Sequence, residues 1–332
     1  MAGRRAMVAI GLALVGAAAT VVLAQTASSP ILLVAVRTNK GFGALQMLDP
    51  IARRPLASVP TGEDPHGVAA STDGRFAYVA NDMGCSISVI DLIARKEVRR
   101  VDLGPGSRPH DVRFIDGRLY FTLEGFKAIG RLDAGASKMD WVLGTGQNGT
   151  HMLAISSDLR RIFTANNGSN TVSAIERGAE ASAPWNVTVI PIPKAPEGID
   201  IAPDGREVWV ASKDDGGGLS VIDVVSKHAT PLGSVATTHA NRVAFTPDGK
   251  LVLVRDGQGF LIVLDATTRT EVKRIALNTT SILVEPNGSR AYATVHPDNH
   301  VAVVDLKTLA VIGRIELGSG LDPDEMAWVA KP

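Results

Sequence analysis

Four side chains suited to metal or proton chemistry recur at matching places along the chain: His66, His110, His151 and Glu197. Each opens a short apolar run, PHGVAA, PHDVRF, THMLAI and PEGIDI. Three histidines, or two histidines and a carboxylate, are donor sets that hold a divalent ion such as Zn or Cu, while a more carboxylate-rich version suits Ca or Mg. A histidine that titrates near neutrality also serves as a general base, which makes His110, His151 and Glu197 the candidates for catalysis. Aligned on the turns downstream, the same slot is filled further along by Asn241, Thr280 and Asp324.

The elements that must position these groups are legible from Pro65 to Leu92. Apolar runs at 67–70, 76–80 and 87–90 are separated by Asp73-Gly74 and by Asn-Asp-Met-Gly at 81–84, and a fourth run covers 98–103. Asp-Gly is a hairpin signal because both residues tolerate positive φ. The third run ends on Asp91, whose carboxylate can accept backbone N–H groups of the next turn. Matching third-run ends are Asp49, Asp91, Asp133, Glu176, Asp223, Asp265 and Asp305, spaced by 42, 42, 43, 47, 42 and 40 residues. That period is one propeller blade per repeat. The chain therefore reads as all-β, a seven-bladed β-propeller with four antiparallel strands per blade. Asp-Gly or Asn-Gly recurs in most first hairpins, but Asp158-Leu159 departs from the pattern, which predicts a different turn there.

The N-terminal runs ILLVAVR, ALQMLD and PLASVP match second, third and fourth strands, with no first strand ahead of them. DEMAWVA, residues 324–330, supplies the missing one, so the C-terminal strand should pair with the N-terminal three and close the ring. One blade is longer, with the polar excursion RGAEASAP at 177–184 between its third and fourth strands.

PHGVAASTDGRFAYVAN followed by SISVIDL resembles the YVTN repeat of bacterial β-propellers, and EGIDIAPDGREVWVAS with LSVIDV repeats the resemblance. It covers nearly everything after residue 30. Propellers with similar blades include envelope binding proteins, lactonases, streptogramin-type lyases and the domain that carries haem d1. The resemblance implies a fold and leaves the activity to the residues present.

First strands line a propeller's channel, so the seven slots predict a ring around the axis. His66, His110, His151 and Glu197 then fall on four consecutive blades, about 6–10 Å apart at their α-carbons. Three occupants remain open: a metal ion, a metal-free ligand, or water on a polar ring. Loops between second and third strands open on the same face and supply a rim, with Arg37, Asp82, Glu124, Asn166, Lys213, Arg255 and His296 as ligand-binding candidates. Met83 and Met152 lie near enough in sequence to suit copper, or simple packing.

Residues 1–24 read as a signal peptide: Arg4 and Arg5, an apolar run at 7–23, then a small-residue cleavage site before Gln25. An uncleaved anchor is the competing reading, and the run is slightly short for one. Residues 25–30 form a linker and 31–332 the single propeller domain, expected in the periplasm or secreted, as a monomer, and off the membrane once cleaved. The full chain has 34 Lys+Arg and 34 Asp+Glu; without Arg4 and Arg5 the balance is 32 against 34, a net −2. That gives no electrostatic footprint for nucleic acid. A single cysteine, Cys85, excludes an internal disulfide. No nucleophile elbow, phosphate loop, dinucleotide fingerprint, HExxH or CxxCH occurs. Two classes remain. The favoured one is an exported scaffold binding a small molecule, metal or envelope protein at its axial face. The alternative is a metal-dependent, lactonase-like hydrolase or lyase centred on the His/Glu group.

Overall fold

In the computed structural model, residues 29–38, 41–178, 180, 183–296 and 298–330 are described. They form seven four-stranded antiparallel sheets arranged as a β-propeller. The segment read as a signal peptide lies outside the described residues. Among those described, no helix is long and apolar enough to cross a membrane.

Blade one is closed as the sequence requires: Leu321–Val329 is its inner strand and pairs antiparallel with Ile31–Thr38, Leu33 opposite Ala327 and Ile31 opposite Val329. Phe42–Asp49 and Arg54–Glu63 complete that sheet. Blades two to seven begin on Pro65–Ala70, Pro109–Ile115, Thr150–Ile155, Pro196–Ile201, Arg242–Phe245 and Thr279–Val284. Second and third strands are buried on both faces, so they read as near-continuous apolar runs, VWVA and FLIVL among them. Fourth strands alternate, as in Lys96–Asp102, because one face meets water. The core is a set of layers between neighbouring sheets. Leu33, Leu45, Val68, Val79 and Ile90 fill the one between blades one and two.

The turn chemistry is more specific than the dipeptides imply. Asp49, Asp91, Asp223, Asp265 and Asp305 each accept two backbone N–H groups from the residues two and three positions on, as anticipated for a third-strand end. Asp73-Gly74 does not place both residues at positive φ: Gly74 alone is there, at 72°, and Asp73 instead accepts the Ser71 hydroxyl and the Arg75 N–H. The expectation of a different turn at Asp158-Leu159 is overturned. Leu159 takes φ 57° where the other loops have glycine, and Ser156 and Asp158 make the same bonds as Ser71 and Asp73. Those side-chain bonds offset the left-handed cost of a leucine, about 1–2 kcal/mol. Asp116-Gly117 is the true two-residue hairpin, with φ 50° and 73°.

Candidate functional site

Five of the seven slots sit in a bulge of the inner strand. Pairing between first and second strands shifts register between Pro65 and Val68, Pro109 and Val112, Thr150 and Met152, Pro196 and Gly198, and Thr279 and Ser281. A bulge bends its strand and re-aims one side chain, and the residues inside these five are His66, His110, His151, Glu197 and Thr280. The strands also run close together. At Gly67 a β-carbon would lie 2.6 Å from the His110 carbonyl oxygen, so only glycine fits beside His66.

The three histidines stack side by side. Ring centroids of His66 and His110 are 4.2 Å apart, and those of His110 and His151 are 3.7 Å apart. His151 Nε2 lies 3.7 Å from Glu197 Oε1, and His66 Nδ1 lies 2.6 Å from Asp324 Oδ2 on the other side. Asn241 donates its amide to Glu197 at 3.4 Å, and the Thr280 hydroxyl donates to the Pro323 carbonyl at 3.1 Å.

Arg242, which the slot alignment passes over, spans this ring. It is buried, and its guanidinium reaches Glu197 at 3.1 Å, Asp324 at 3.4 Å and Glu325 at 3.0 Å. The signal for it was a lone charge inside the apolar run RVAF, one residue past the aligned slot.

The rim candidates divide. Glu124 starts a one-turn 3₁₀ segment, Glu124–Phe126, ended by Lys127 at φ 53°, and this turns its carboxylate inward onto His151 Nδ1 in a very short contact. Arg37 reaches Asp322 at 2.7 Å and Asp324 at 3.5 Å, and lies 3.4 Å from His66 Nε2. Lys213 pairs with Glu197 at 2.7 Å. Asp82 is buried and held by Arg108 at 2.8 Å. Asn166 is buried and bonds Thr171 and Ser173 of its own blade. Arg255 donates to the Thr279 and His239 carbonyls, and the half-exposed His296 pairs with Asp322 at 3.1 Å. Arg37, Glu124 and Lys213 thus join the axial group, whereas Asp82, Asn166, Arg255 and His296 are engaged around it.

Electrostatics sort the histidines. Burial opposes charge on His66, but its contacts with Asp324 and Asp64 win and push its pKa up to about 10. His110 is driven far below the ordinary imidazole value by burial and by the neighbouring cationic side chains, so it is neutral. His151 is raised, because Glu124 and Glu197 outweigh its burial. Glu197 would be raised by burial, yet His151, Arg242 and Lys213 hold it well below the usual carboxylate range.

One donor set follows. Ligand atoms of His110, Glu124 and His151 lie within 4.8 Å of one another, and His110 Nδ1 is buried with no hydrogen-bond partner. His66 and Glu197, equal members of the set by sequence, are instead committed to Asp324 and to Arg242. These residues fit a single ion and not a macrocycle. A haem centred on His110 would press on an imidazole at either side.

Comparison with known proteins agrees on architecture. The Cytochrome D1 heme domain family matches residues 32–124. No curated protein matches the sequence. Among solved structures, hydrazine synthase of Kuenenia stuttgartiensis superposes with a TM-score of 0.69 at 18% identity, over 87% of this chain and 99% of that one. A protein of Bacteroides uniformis described as a candidate 6-phosphogluconolactonase gives 0.70 at 13% identity, over 90% and 99%. Its counterpart from Bacteroides fragilis gives 0.69 at 14%, over 92% and 99%. At these identities the likeness is one of fold.

Proposed function

We propose that this is an exported binding propeller of the YVTN kind, whose ligand is one divalent transition-metal ion held at the axial mouth by His110, His151 and Glu124. The observation that carries the reading is the unpartnered, buried Nδ1 of His110 beside two further donors within ligating reach of each other. Two imidazoles and a carboxylate select Zn or Cu over Ca or Mg. His110, kept neutral, already has a lone pair free. Glu124 supplies negative charge, and its bond to His151 Nδ1 must open or be shared when an ion enters. Asp324 holds His66 as a cation at the edge of the set, which together with Arg37 and Lys213 favours an anionic co-ligand over a second metal.

Less supports the lactonase-like reading. Hydrolysis needs a group that can take up a proton near neutrality, and Glu197 is fixed as a carboxylate by three cationic neighbours. Elemental analysis after loading the full chain with Zn or Cu tests the proposal. About one equivalent should be retained by the parent protein and lost from His151→Ala and Glu124→Gln. Full retention in both variants, or no loading of the parent protein, overturns it.

A further inference from the structure

A sizeable cavity lies away from the histidines, on the opposite face. It has a volume of about 630 Å³ and sits between blades two and three. Its origin is a missing piece of packing. First hairpins elsewhere are five-residue loops, 71–75, 202–206, 246–250 and 285–289 among them, whereas that of blade three is only Asp116-Gly117. In two of the long loops the turn glycine packs on a proline of the blade before it. Pro203 Cδ lies 3.6 Å from the β-carbon position of Gly249, and Pro247 Cδ lies 3.5 Å from that of Gly288. Nothing lies within 4 Å of the same position at Gly117, nor at Gly205, and the blades before these two carry Thr72 and Ser157 in place of that proline. The short turn and the missing proline together leave the space beside Gly117 open.

The walls are aromatic and aliphatic: Phe76, Tyr78, Val89, Val98 and Phe114. Tyr78 and Phe114 stack with 7° between their planes and 5.5 Å between centroids, so the floor is a pair of parallel rings. Arg99 closes the outer side by donating to the Ala134 and Gly135 carbonyls. No carboxylate pairs with it among the described residues, so its charge is uncompensated. Asp73, the one acid on the wall, is taken up by the Ser71 hydroxyl and the Arg75 N–H. The Tyr78 hydroxyl makes no hydrogen bond among the described residues, and burial pushes its pKa up to about 12, so it remains a donor.

We propose that this interblade cavity is a second ligand site, taking a planar aromatic carboxylate whose ring lies on the Tyr78–Phe114 floor and whose charge faces Arg99. Flat apolar walls select the ring. An unpaired guanidinium next to a free phenol O–H selects the acid over its neutral isostere.

Calorimetric titration with 2-naphthoate and with 2-naphthalenemethanol tests it on the full chain. In the parent protein the acid should bind about five- to tenfold tighter than the alcohol at low salt. Arg99→Gln, which keeps a side-chain donor for the carbonyls, should bring the two to parity. Val98 is 46% exposed, so Val98→Trp can fill the cavity without entering the core, and it should abolish binding of both. His110→Ala should bind naphthoate as the parent does, which separates this site from the axial one. Naphthoate binding unchanged in Val98→Trp, equal affinity for acid and alcohol in the parent, or no saturation at about 1 mM acid overturns the proposal. Should Val98→Trp fail to fold, the Arg99→Gln comparison alone decides.

Discussion

The axial ring has two arcs built on one backbone plan. Blades two to four present His66, His110 and His151, while blades six and seven present Asn241 and Thr280. Thr280 sits in the same kind of bulge as His110, yet its hydroxyl only ties Pro323 and Thr294 together. The repeat therefore fixes a place at the axis, and the side chain alone decides whether that place has chemistry. Glu197 and Asp324 bracket the histidine arc, and Arg242 from the poorer side binds both of them. The poorer arc thus contributes charge balance, and the richer one contributes ligands.

The severest test of that division is to remove the crosspiece. Arg242→Met leaves Glu197, Asp324 and Glu325 buried without their shared cation. Breaking a buried pair from one side costs about 3–5 kcal/mol, and urea denaturation at neutral pH should show a loss of that size. Arg255→Met, at the neighbouring position of the same blade, gives up only hydrogen bonds to two carbonyls and should cost about 1 kcal/mol. Equal losses in the two variants would mean that the arcs are not joined through Arg242.

Raising the pH attacks the histidine arc from within. His66 is charged in the fold, with its pKa lifted from 6.5 to about 10. Its contribution is complete below about pH 6.5 and disappears as pH rises through about 10, a loss of about 2–4 kcal/mol. Glu197 and Asp324 act in the other direction. Both are depressed in the fold, so their contribution is present above the unfolded values of 4.5 and 3.8 and is lost as pH falls below them. Buried, neutral His110 adds to the acid-side loss below about pH 6.5, so stability measured from pH 3 to 10 should peak at about pH 6.5. In His66→Gln the alkaline decline should flatten; a decline of unchanged depth would place its cause elsewhere.

Within the same arc, His110 should behave unlike His66. Its imidazole is neutral and its Nδ1 has no hydrogen-bond partner among the described residues, so His110→Ala removes packing worth about 1–2 kcal/mol. Because a buried neutral imidazole resists protonation, the variant should also lessen the loss of stability below about pH 6.5, while leaving the alkaline decline in place. Metal retention, by contrast, should fall at least tenfold. A variant that keeps its metal would shift the donor set to the remaining residues.

How far the sequence shows all this depends on whether a feature belongs to the repeat. Blade number, the closing strand and the capped third-strand ends are periodic, and so visible. The seven slots are visible for the same reason, since a bulge recurs at five of the six strand entries of blades two to seven, the Asn241 entry being the exception. Arg242 is hidden because it lies one residue off the slot, at a position the other blades fill with Gly67, Asp111, Met152, Gly198, Ser281 and Glu325, so no shared chemistry marks it. Glu124 reads as a rim residue, and only the single 3₁₀ turn before Lys127 brings it to His151. Leu159 is hidden for a local reason. The Asp158 carboxylate, accepting the Ser156 hydroxyl and the Arg160 N–H, holds a left-handed residue between them whatever its type, and a search for glycine passes over it.

Thr280→Ala is the mildest perturbation and the one that sharpens the contrast most. Its hydroxyl bonds the Pro323 carbonyl and the Thr294 hydroxyl, next to the Asp324 slot. A neutral hydrogen bond of this kind contributes about 1 kcal/mol, and the Pro323 carbonyl left behind can be reached by water from the channel. Stability should fall by that amount, with metal stoichiometry and the alkaline decline both unchanged. Loss of metal in Thr280→Ala would show that the poorer arc positions the ligands through Asp324 and His66. The two arcs would then be one device, and the division of labour argued from their side chains would fail.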